Sequence, residues 1–312
     1  MSTITIYYNY KELLLVALTA IITDGVNDLS KDLIKEYDIL TIPYRIIHGD
    51  DVFRIWHNEK CNISLEDLCS RISNSSKEEL PSTSIPTPGE IHFAFEKALT
   101  KSTSILALFQ ASEMAGTFKL AQSIANNGFS SKDITIFDTK RIMHGSGIQA
   151  LEAAKQAKKG KSKQEILKHL ETLNPKVRTI VIMNDLKFLY YGGRIGRAKK
   201  LLASTFNIIP SIHFVDGLPS PLTTFKGTKN LSSQLHDFCK TIMNECITND
   251  IFITHINYDK ITDEIYDSMT DINNNGINIH YNKAGPIMGV YSGTKAICIS
   301  YIGNWDPKWL SK

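Results

Sequence analysis

Short apolar segments recur along this chain and constrain its fold more than any other feature. They cover residues 19–24, 104–109, 134–137, 179–183, 251–255 and 296–301. Residues with helical spacing, such as Leu29, Leu33 and Ile34, separate several of these segments. Strands that alternate with helices in this way form largely parallel sheets covered by helices. We therefore predict an α/β fold with largely parallel sheets flanked by helices.

The chain length of 312 residues fits two domains better than one. A stretch with helical spacing ends at Gly160, and the capping box that begins at Ser162 opens another helix directly afterwards. We predict a first α/β domain over residues 19–160, a second over residues 161–312, and an amino-terminal appendage over residues 1–18. Two domains leave room for a ligand pocket between them.

Composition and charge favour an ordinary globular protein. Hydrophobic residues make up 42% of the chain and charged residues 21%, which is usual for a protein with a packed core. The net charge of +3 is spread over the whole chain, so we expect no nucleic-acid partner. The five cysteines are odd in number and form no C-x-x-C pattern, which indicates a reducing compartment without structural zinc.

An apolar run near the amino terminus suggests a membrane segment or a signal peptide only at first sight. The run covers residues 13–22, which is much shorter than the roughly twenty residues needed to span a bilayer. No A-x-A cleavage site follows it. We therefore expect a cytoplasmic location and no stable membrane insertion.

A hydroxyl-rich segment, PSTSIPTPGE from Pro81, precedes a predicted helix. Thr87 and Glu90 have the spacing of a capping box at the helix start, which leaves Thr83 and Ser84 free for another role. A carboxylate accepts hydrogen bonds only, so hydroxyl donors beside the positive end of a helix suit it. The hydroxyls could instead serve only their own backbone turn.

A second candidate hydroxyl, on Ser112, follows the predicted strand over residues 104–109. Ser112 comes shortly after the apolar segment that ends at Phe109, and it has the position of an N-cap for a helix that ends at Gly128. In an open α/β sheet, ligands bind outside the carboxyl ends of the strands. The loops that carry Thr83 and Ser112 could therefore face one crevice.

A glycine turn, YYGGRIGR from Tyr190, could bring Arg194 to a carboxylate or a phosphate. It lacks the spacing of a dinucleotide fingerprint, and residues 289–295 lack the spacing of a phosphate loop. Neither a nucleophile elbow nor an H-E-x-x-H motif occurs. We expect no nucleotide, metal or other cofactor.

Two further candidates have simpler interpretations. Asp24 and Asp28 could form an acidic metal site, but carboxylates in such a turn more often cap the turn and the helix that follows. His255 lies within an apolar strand, which is typical of a buried core histidine.

Four segments in this order resemble the DegV family of lipid-binding proteins. They read TDGVNDL from Thr23, TSIPTPGE from Thr83, ASEMAGTF from Ala111 and GGRIG from Gly192. The likeness spans about residues 19–303. It implies a two-domain α/β protein without catalytic residues of its own, which encloses one long-chain fatty acid between the domains.

The resemblance also implies the binding residues. The threonine of the second segment and a serine of the third hold the carboxylate in the family, which points to Thr83 and Ser112. Ser84 and Arg194 would line the polar mouth. The remaining candidates from the third segment are Gly116 and Thr117.

The chain departs from the family pattern at several positions. Ala111, Ala115 and Gly25 stand where the pattern has serine, and Tyr291 stands where many members have histidine. Tyr291 is predicted to replace that histidine as a donor, although a tyrosine stays neutral at pH 7.

Relatives act as the carrier subunit of a two-component fatty acid kinase that serves phospholipid metabolism. The resemblance thus implies a separate kinase subunit as partner. Two alternatives stay open at the level of sequence. One is a stand-alone hydrolase or transferase with Ser112 as nucleophile and His255 or Glu113 as base, and the other is a divergent sensor of acyl lipids.

Overall fold

The computed structural model describes residues 19–57, 60–203, 208–274 and 276–310. The appendage predicted for residues 1–18 lies outside the described residues. The strands are β1 (Thr19–Asp24), β2 (Leu40–Ile42), β3 (Tyr44–His48), β4 (Asp51–His57), β5 (Lys60–Cys61), β6 (Ser82–Ser84), β7 (Ser104–Phe109), β8 (Asp133–Asp138), β9 (Val177–Met183), β10 (Ile208–Val215), β11 (Leu218–Lys226), β12 (Cys246–Ile256), β13 (Asn278–Lys283) and β14 (Ala296–Gly303). All six predicted strand segments lie within strands.

The helices separate and cover these strands. They are α1 (Lys31–Glu36), α2 (Leu65–Asn74), α3 (Pro88–Leu99), α4 (Thr117–Gly128), α5 (His144–Lys158), α6 (Lys163–Leu173), α7 (Lys187–Tyr191), α8 (Gly227–Glu245), α9 (Asp259–Asp271) and α10 (Pro286–Ser292). Short 3₁₀ helices cover Lys77–Glu79, Asn174–Lys176, Gly196–Ala203 and Pro307–Leu310.

The first sheet, called the parallel sheet below, has the strand order β2-β1-β7-β8, and every pair in it is parallel. Helices α3 and α4 cover one face, where Phe95 and Ala121 share a buried cluster with Ile105. Helix α5 covers the other face, where Leu151 shares a cluster with Leu106. Because both faces are buried, β7 is a continuous apolar run, as is usual for parallel strands between helices.

The six-stranded sheet has the order β11-β10-β9-β14-β12-β13. The α/β class expected from the sequence is confirmed, but in this sheet only β12 and β13 pair in parallel. Asp216 and Gly217, with φ of 52° and 80°, form the tight turn that makes β10 and β11 antiparallel. The sequence analysis missed this hairpin because Pro219 and Pro221 interrupt its apolar pattern, which the edge strand β11 tolerates.

Helix α5 lies between the parallel sheet and the six-stranded sheet. Twelve of its fifteen residues are buried, and it contacts β1 and β7 on one side and β9 and β14 on the other. Glycines allow this close packing: a Cβ on Gly145 would lie 2.0 Å from Oγ1 of Thr179, and one on Gly147 would lie 2.1 Å from the carbonyl oxygen of Asn27. The domain division at residue 160 stays a prediction.

A third sheet, called the antiparallel sheet, has the order β5-β4-β3-β6. It packs on the turn that follows β1, since a Cβ on Gly25 would lie 1.9 Å from the carbonyl oxygen of Ile55. A serine at position 25, as in the DegV pattern, has no room in this packing. The antiparallel sheet thus brings β3 and β6 next to the carboxyl end of the parallel sheet.

Candidate functional site

A cavity lies where the three sheets meet. Its wall includes Val26 after β1, Thr83 in β6 and Val181 in β9. It contains about 730 Å³ of space free of protein atoms, counting the solvent at its opening. Thirteen of its nineteen lining residues are apolar. A largely apolar wall with a few polar groups is characteristic of small-molecule sites.

The apolar part of the wall follows from strand alternation. Val181 and Met183 point from β9 into the cavity, whereas Ile180 and Ile182 point to the opposite core under α8 and α9. Ile212 and Phe214 extend the cavity wall from β10, and Ile287 and Met288 close it from α10. The cavity is therefore part of the buried core on one face of the six-stranded sheet.

Three polar side chains meet at one part of the wall, which we call the mouth: Thr83, Arg194 and Tyr291. The hydroxyl oxygens of Thr83 and Tyr291 are 2.5 Å apart and share a hydrogen bond. The guanidinium carbon of Arg194 lies 5.7 Å from the centre of the Tyr291 ring. Arg194 is exposed, and the other two are half-buried.

Contacts between side chains and nearby backbone atoms hold the mouth together. Arg194 donates from Nη1 to the carbonyl oxygen of Gly192 at 2.6 Å and from Nε to that of Met114 at 3.4 Å. A Cβ on Gly192 would lie 2.8 Å from Cε1 of Tyr291, so the glycine makes room for the ring. The mouth therefore joins the Thr83 segment (residues 81–87), the glycine turn and α10, because Tyr291 of α10 contacts the other two.

A buried hydrogen-bond network lies deeper in the wall. The Tyr44 hydroxyl shares a 2.5 Å hydrogen bond with Oγ1 of Thr117 and accepts one from Nε2 of Gln110 at 2.6 Å. Burial, and then the nearby carboxyl of Asp24, raise the pKa of Tyr44 well above its usual value. Tyr44 and Gln110 line the cavity, whereas Thr117 supports them from behind. This network therefore places uncharged polar groups in the cavity wall.

Asp24 is completely buried beside this network. Its Oδ1 accepts a hydrogen bond from the Val26 backbone at 3.1 Å, which confirms the predicted role as a turn cap. Burial raises the pKa of Asp24 to about 7, because removal from water disfavours the charged form more than backbone hydrogen bonds favour it.

The Ser112 segment, residues 110–116, has a different orientation from the one expected. Ser112 donates from Oγ to Oδ2 of Asp138 at 2.7 Å, and its backbone nitrogen donates to Oδ1 at 3.3 Å. It is not among the residues that line the cavity, whereas Ala115 and Met114 are. Ser112 is also not the N-cap of α4, because that helix begins at Thr117.

The other predicted residues have supporting positions. Ser84 donates to the carbonyl oxygen of Ile85 at 3.3 Å and does not line the cavity. Gly116 is the N-cap of α4, and a Cβ there would lie 3.4 Å from Cδ1 of Ile85. Of the seven candidate residues, the structure therefore brings Thr83, Arg194 and Tyr291 together at the cavity.

The cavity-lining residues Tyr44 and Gln110 were missed by the sequence analysis. Gln110 directly follows β7 and could have been found from the rule that ligands bind at the carboxyl ends of parallel strands. Tyr44 lies in the antiparallel sheet, and no pattern near it indicates a contact with the parallel sheet.

The predicted helix cap at Asp28 is wrong. Ser30 is the N-cap of α1, and its side chain accepts from the Leu33 backbone. The Asp28 carboxylate instead accepts a backbone hydrogen bond from Gly285, just before α10, and burial raises its pKa to about 7. His255 is a buried core histidine, as expected, with Nε2 3.2 Å from the Tyr281 hydroxyl.

Within the described ranges, no group of three or more His, Cys, Asp or Glu side chains could hold a metal ion. No helix in the same part of the chain is long and apolar enough to cross a membrane.

Comparison with known proteins agrees with this arrangement of segments. The family described as "Uncharacterised protein, DegV family" matches residues 18–304. The chain belongs to the DegV family. A DegV domain-containing protein of Clostridium acetobutylicum is 27% identical over 279 residues, which is 88% of this chain and 95% of the relative.

Solved DegV structures share the fold. A DegV family protein from Thermus thermophilus, described for its fatty acid binding, superposes with a TM-score of 0.80 at 19% identity, covering 92% of this chain and 100% of that one. DegV of Bacillus subtilis, described as a fatty acid binding protein, gives a TM-score of 0.77 at 21% identity with the same coverage. At these identities the likeness shows the DegV fold.

Proposed function

We propose that this DegV protein binds one long-chain fatty acid in the cavity, with the carboxylate at the mouth. The observation that carries this proposal is the cavity itself: a largely apolar enclosure with hydroxyl and guanidinium groups gathered at one place. An amphiphile with a long apolar chain and one anionic head matches that distribution. The fatty acids bound by the related DegV proteins of Thermus and Bacillus support the same ligand class.

The mouth offers a carboxylate both donors and charge. The hydroxyls of Thr83 and Tyr291 carry two protons, and one of these forms their mutual hydrogen bond. The other proton is available to a carboxylate oxygen. Arg194 adds a permanent positive charge over the Tyr291 ring. The head group is thus recognised without a histidine.

Burial of the tail supplies most of the affinity. About fourteen methylenes at roughly 0.8 kcal/mol each give about 11 kcal/mol before the costs of association. A charge-assisted hydrogen bond contributes only about 1.5 to 3 kcal/mol. The mouth therefore mainly determines which end of the ligand remains near solvent.

We further propose that the carboxylate is presented to a separate fatty acid kinase subunit, which phosphorylates it. Two observations support this step. The sequence has no phosphate loop of its own, and Arg194 lines the cavity while being exposed to solvent. Phosphorylation by the partner would start a route into phospholipid metabolism, and a cytoplasmic location fits that role.

The catalytic alternative requires Ser112 to contact a base. In the structure its hydroxyl donates to Asp138, while His255 pairs with Tyr281. Neither of the two predicted bases is a hydrogen-bond partner of Ser112 in the described contacts. No observation therefore favours a hydrolase or transferase over the carrier.

Denaturing mass spectrometry of an organic extract tests the proposal directly, because a buried lipid survives purification. We expect about one equivalent of a fatty acid with roughly 14 to 18 carbons per chain. An extract without lipid, together with no uptake of added fatty acid in calorimetry, would contradict the proposal. If the fatty acid is present, adding a kinase subunit and ATP tests the second step, for which we expect formation of acyl phosphate.

A further inference from the structure

Methionines are concentrated in the cavity wall. Four of the chain's seven methionines line it: Met114 after β7, Met143 before α5, Met183 in β9 and Met288 in α10. The last three are at most 4% exposed. The four methionines come from four separate segments, so flexible side chains reach the cavity from several sides.

The opposite core of the six-stranded sheet contains fewer methionines than the cavity wall. There, under α8 and α9, branched and aromatic side chains such as Ile251, Leu235 and Phe238 dominate. Met243 and Met269 are buried in that core and do not line the cavity. The protein therefore has two sets of methionines in one fold, and only one set faces the cavity.

The chemistry of methionine gives this difference a meaning. A methionine side chain is unbranched, with three rotatable bonds and a polarizable sulfur, so it fits gaps of different shape at low cost. Isoleucine and valine are restricted at χ1 and hold one shape. A wall with methionines from four segments can therefore follow the shape of its ligand.

Met143 adds an independent observation. Its backbone has φ 52° and ψ −138°, a region that residues with a side chain rarely adopt. Its carbonyl oxygen accepts hydrogen bonds from the backbone nitrogens of Ser146 and Gly147, both at 2.9 Å, which fix it at the start of α5. Strained residues of this kind cluster at ligand sites. The strain here places a flexible side chain in the cavity wall.

We propose that the cavity accepts long-chain monocarboxylic acids whose chains are straight, cis-kinked or methyl-branched with similar affinity, and that the four methionines provide this tolerance. The inference rests on the proposed fatty-acid function and adds the breadth of its substrate class. A stiff cavity would discriminate a single methyl group by about 10- to 200-fold.

Competition binding to the delipidated full chain tests the inference. The probes are stearic, oleic and isostearic acid, which have equal carbon numbers and different shapes. We expect their dissociation constants for the wild-type protein to agree within about fivefold, since the methionines repack around each chain. In the double variant Met183→Ile, Met288→Ile, we expect them to separate by more than about tenfold, because the wall becomes stiff.

The matched control is the double variant Met243→Ile, Met269→Ile, which makes the same change in the opposite core. We expect it to keep the wild-type breadth with a similar loss of thermal stability. The inference is overturned if the wild type separates the three acids by more than about 30-fold, or if the stiffened cavity keeps its breadth. If the Met183→Ile, Met288→Ile variant does not fold, the three dissociation constants of the wild-type protein decide the question. Failure of all three acids to bind would instead remove the proposed function and this inference with it.

Discussion

The Thr83 segment (residues 81–87) and the Ser112 segment (residues 110–116) both carry hydroxyls and precede a helix, but they contribute differently to the molecule. In the first, Thr83 points to the cavity and bonds to Tyr291. In the second, the Ser112 hydroxyl bonds to Asp138, and the side chains at the cavity are Met114 and Ala115. One segment places a hydroxyl at the cavity, where we propose that it binds the head group, and the other places apolar side chains there.

This difference shows that a hydroxyl near a helix start need not face the cavity. What decides is the element on which it lies. Thr83 is fixed in strand β6, whose pairing with β3 sets the direction of its side chain. Ser112 lies in a turn, and a carboxylate next to that turn accepts its proton. The predictions below test the contrast between the two segments.

The largest expected effect concerns Asp24, which lies beneath the Ser112 segment and accepts a backbone hydrogen bond from Gln110. Its pKa is about 7 in the folded protein, against 3.8 for an ordinary aspartate. Between these values the unfolded chain releases a proton that the folded chain keeps, so rising pH destabilises the fold and the loss is complete above the folded pKa.

Asp24→Asn keeps the neutral form at every pH. We expect its free energy of unfolding to rise relative to wild type by as much as about 4 kcal/mol between roughly pH 4 and pH 8. Urea unfolding of both proteins across this range measures the difference. A gap that does not change with pH would show that Asp24 is ionised in the folded protein.

The next largest effect concerns the mouth. Thr83→Val removes the hydroxyl and keeps the shape, so the carboxylate loses one donor while the tail stays buried. We expect the dissociation constant for a fatty acid to rise about tenfold, which corresponds to roughly 1.5 kcal/mol. Calorimetry on delipidated protein measures it, with circular dichroism as the check on the fold. An unchanged affinity would remove Thr83 from the head-group site.

Ser112→Ala is the matched change in the other segment. The Ser112 hydroxyl donates to Asp138, and the residue does not line the cavity. We therefore expect fatty-acid affinity to stay at the wild-type value. The lost hydrogen bond should lower the free energy of unfolding by about 1 kcal/mol. An affinity loss as large as that of Thr83→Val would mean that both segments serve the ligand.

The smallest expected effect comes from restoring a family serine at the cavity. Ala115 lines the cavity and is half-buried, so Ala115→Ser adds a donor where the wall has none. We expect a rise in fatty-acid affinity of about threefold, since a new hydrogen bond in a site not built around it adds less than a native one removes. A loss of affinity would indicate that the position packs against the tail.

Patterns along the chain predicted much of the fold. Short apolar runs indicate strands, and all six predicted runs lie within strands, including β8, which is only half-buried. The capping boxes at Thr87 and Ser162 are present, each with its glutamate at N3. These signals are local, because they depend on residues three or four positions apart.

The site was harder to predict because its contacts are not local. Thr83 and Tyr291 are 208 positions apart, and their hydrogen bond depends on how the antiparallel sheet meets α10. The direction of Ser112 depends on Asp138 at the end of β8, which no spacing reveals. Tyr44 reaches the cavity through a sheet whose short strands lack a clear apolar pattern.

Helix α5 has a consequence for how the molecule unfolds. Its side chains belong to one buried cluster that also contains Leu106 of the parallel sheet and Phe252 of the six-stranded sheet. Removing either sheet would expose a helix that is buried on nearly all sides. The two sheets should therefore melt in a single cooperative transition, and a fatty acid bound at one end should raise the melting temperature of the whole.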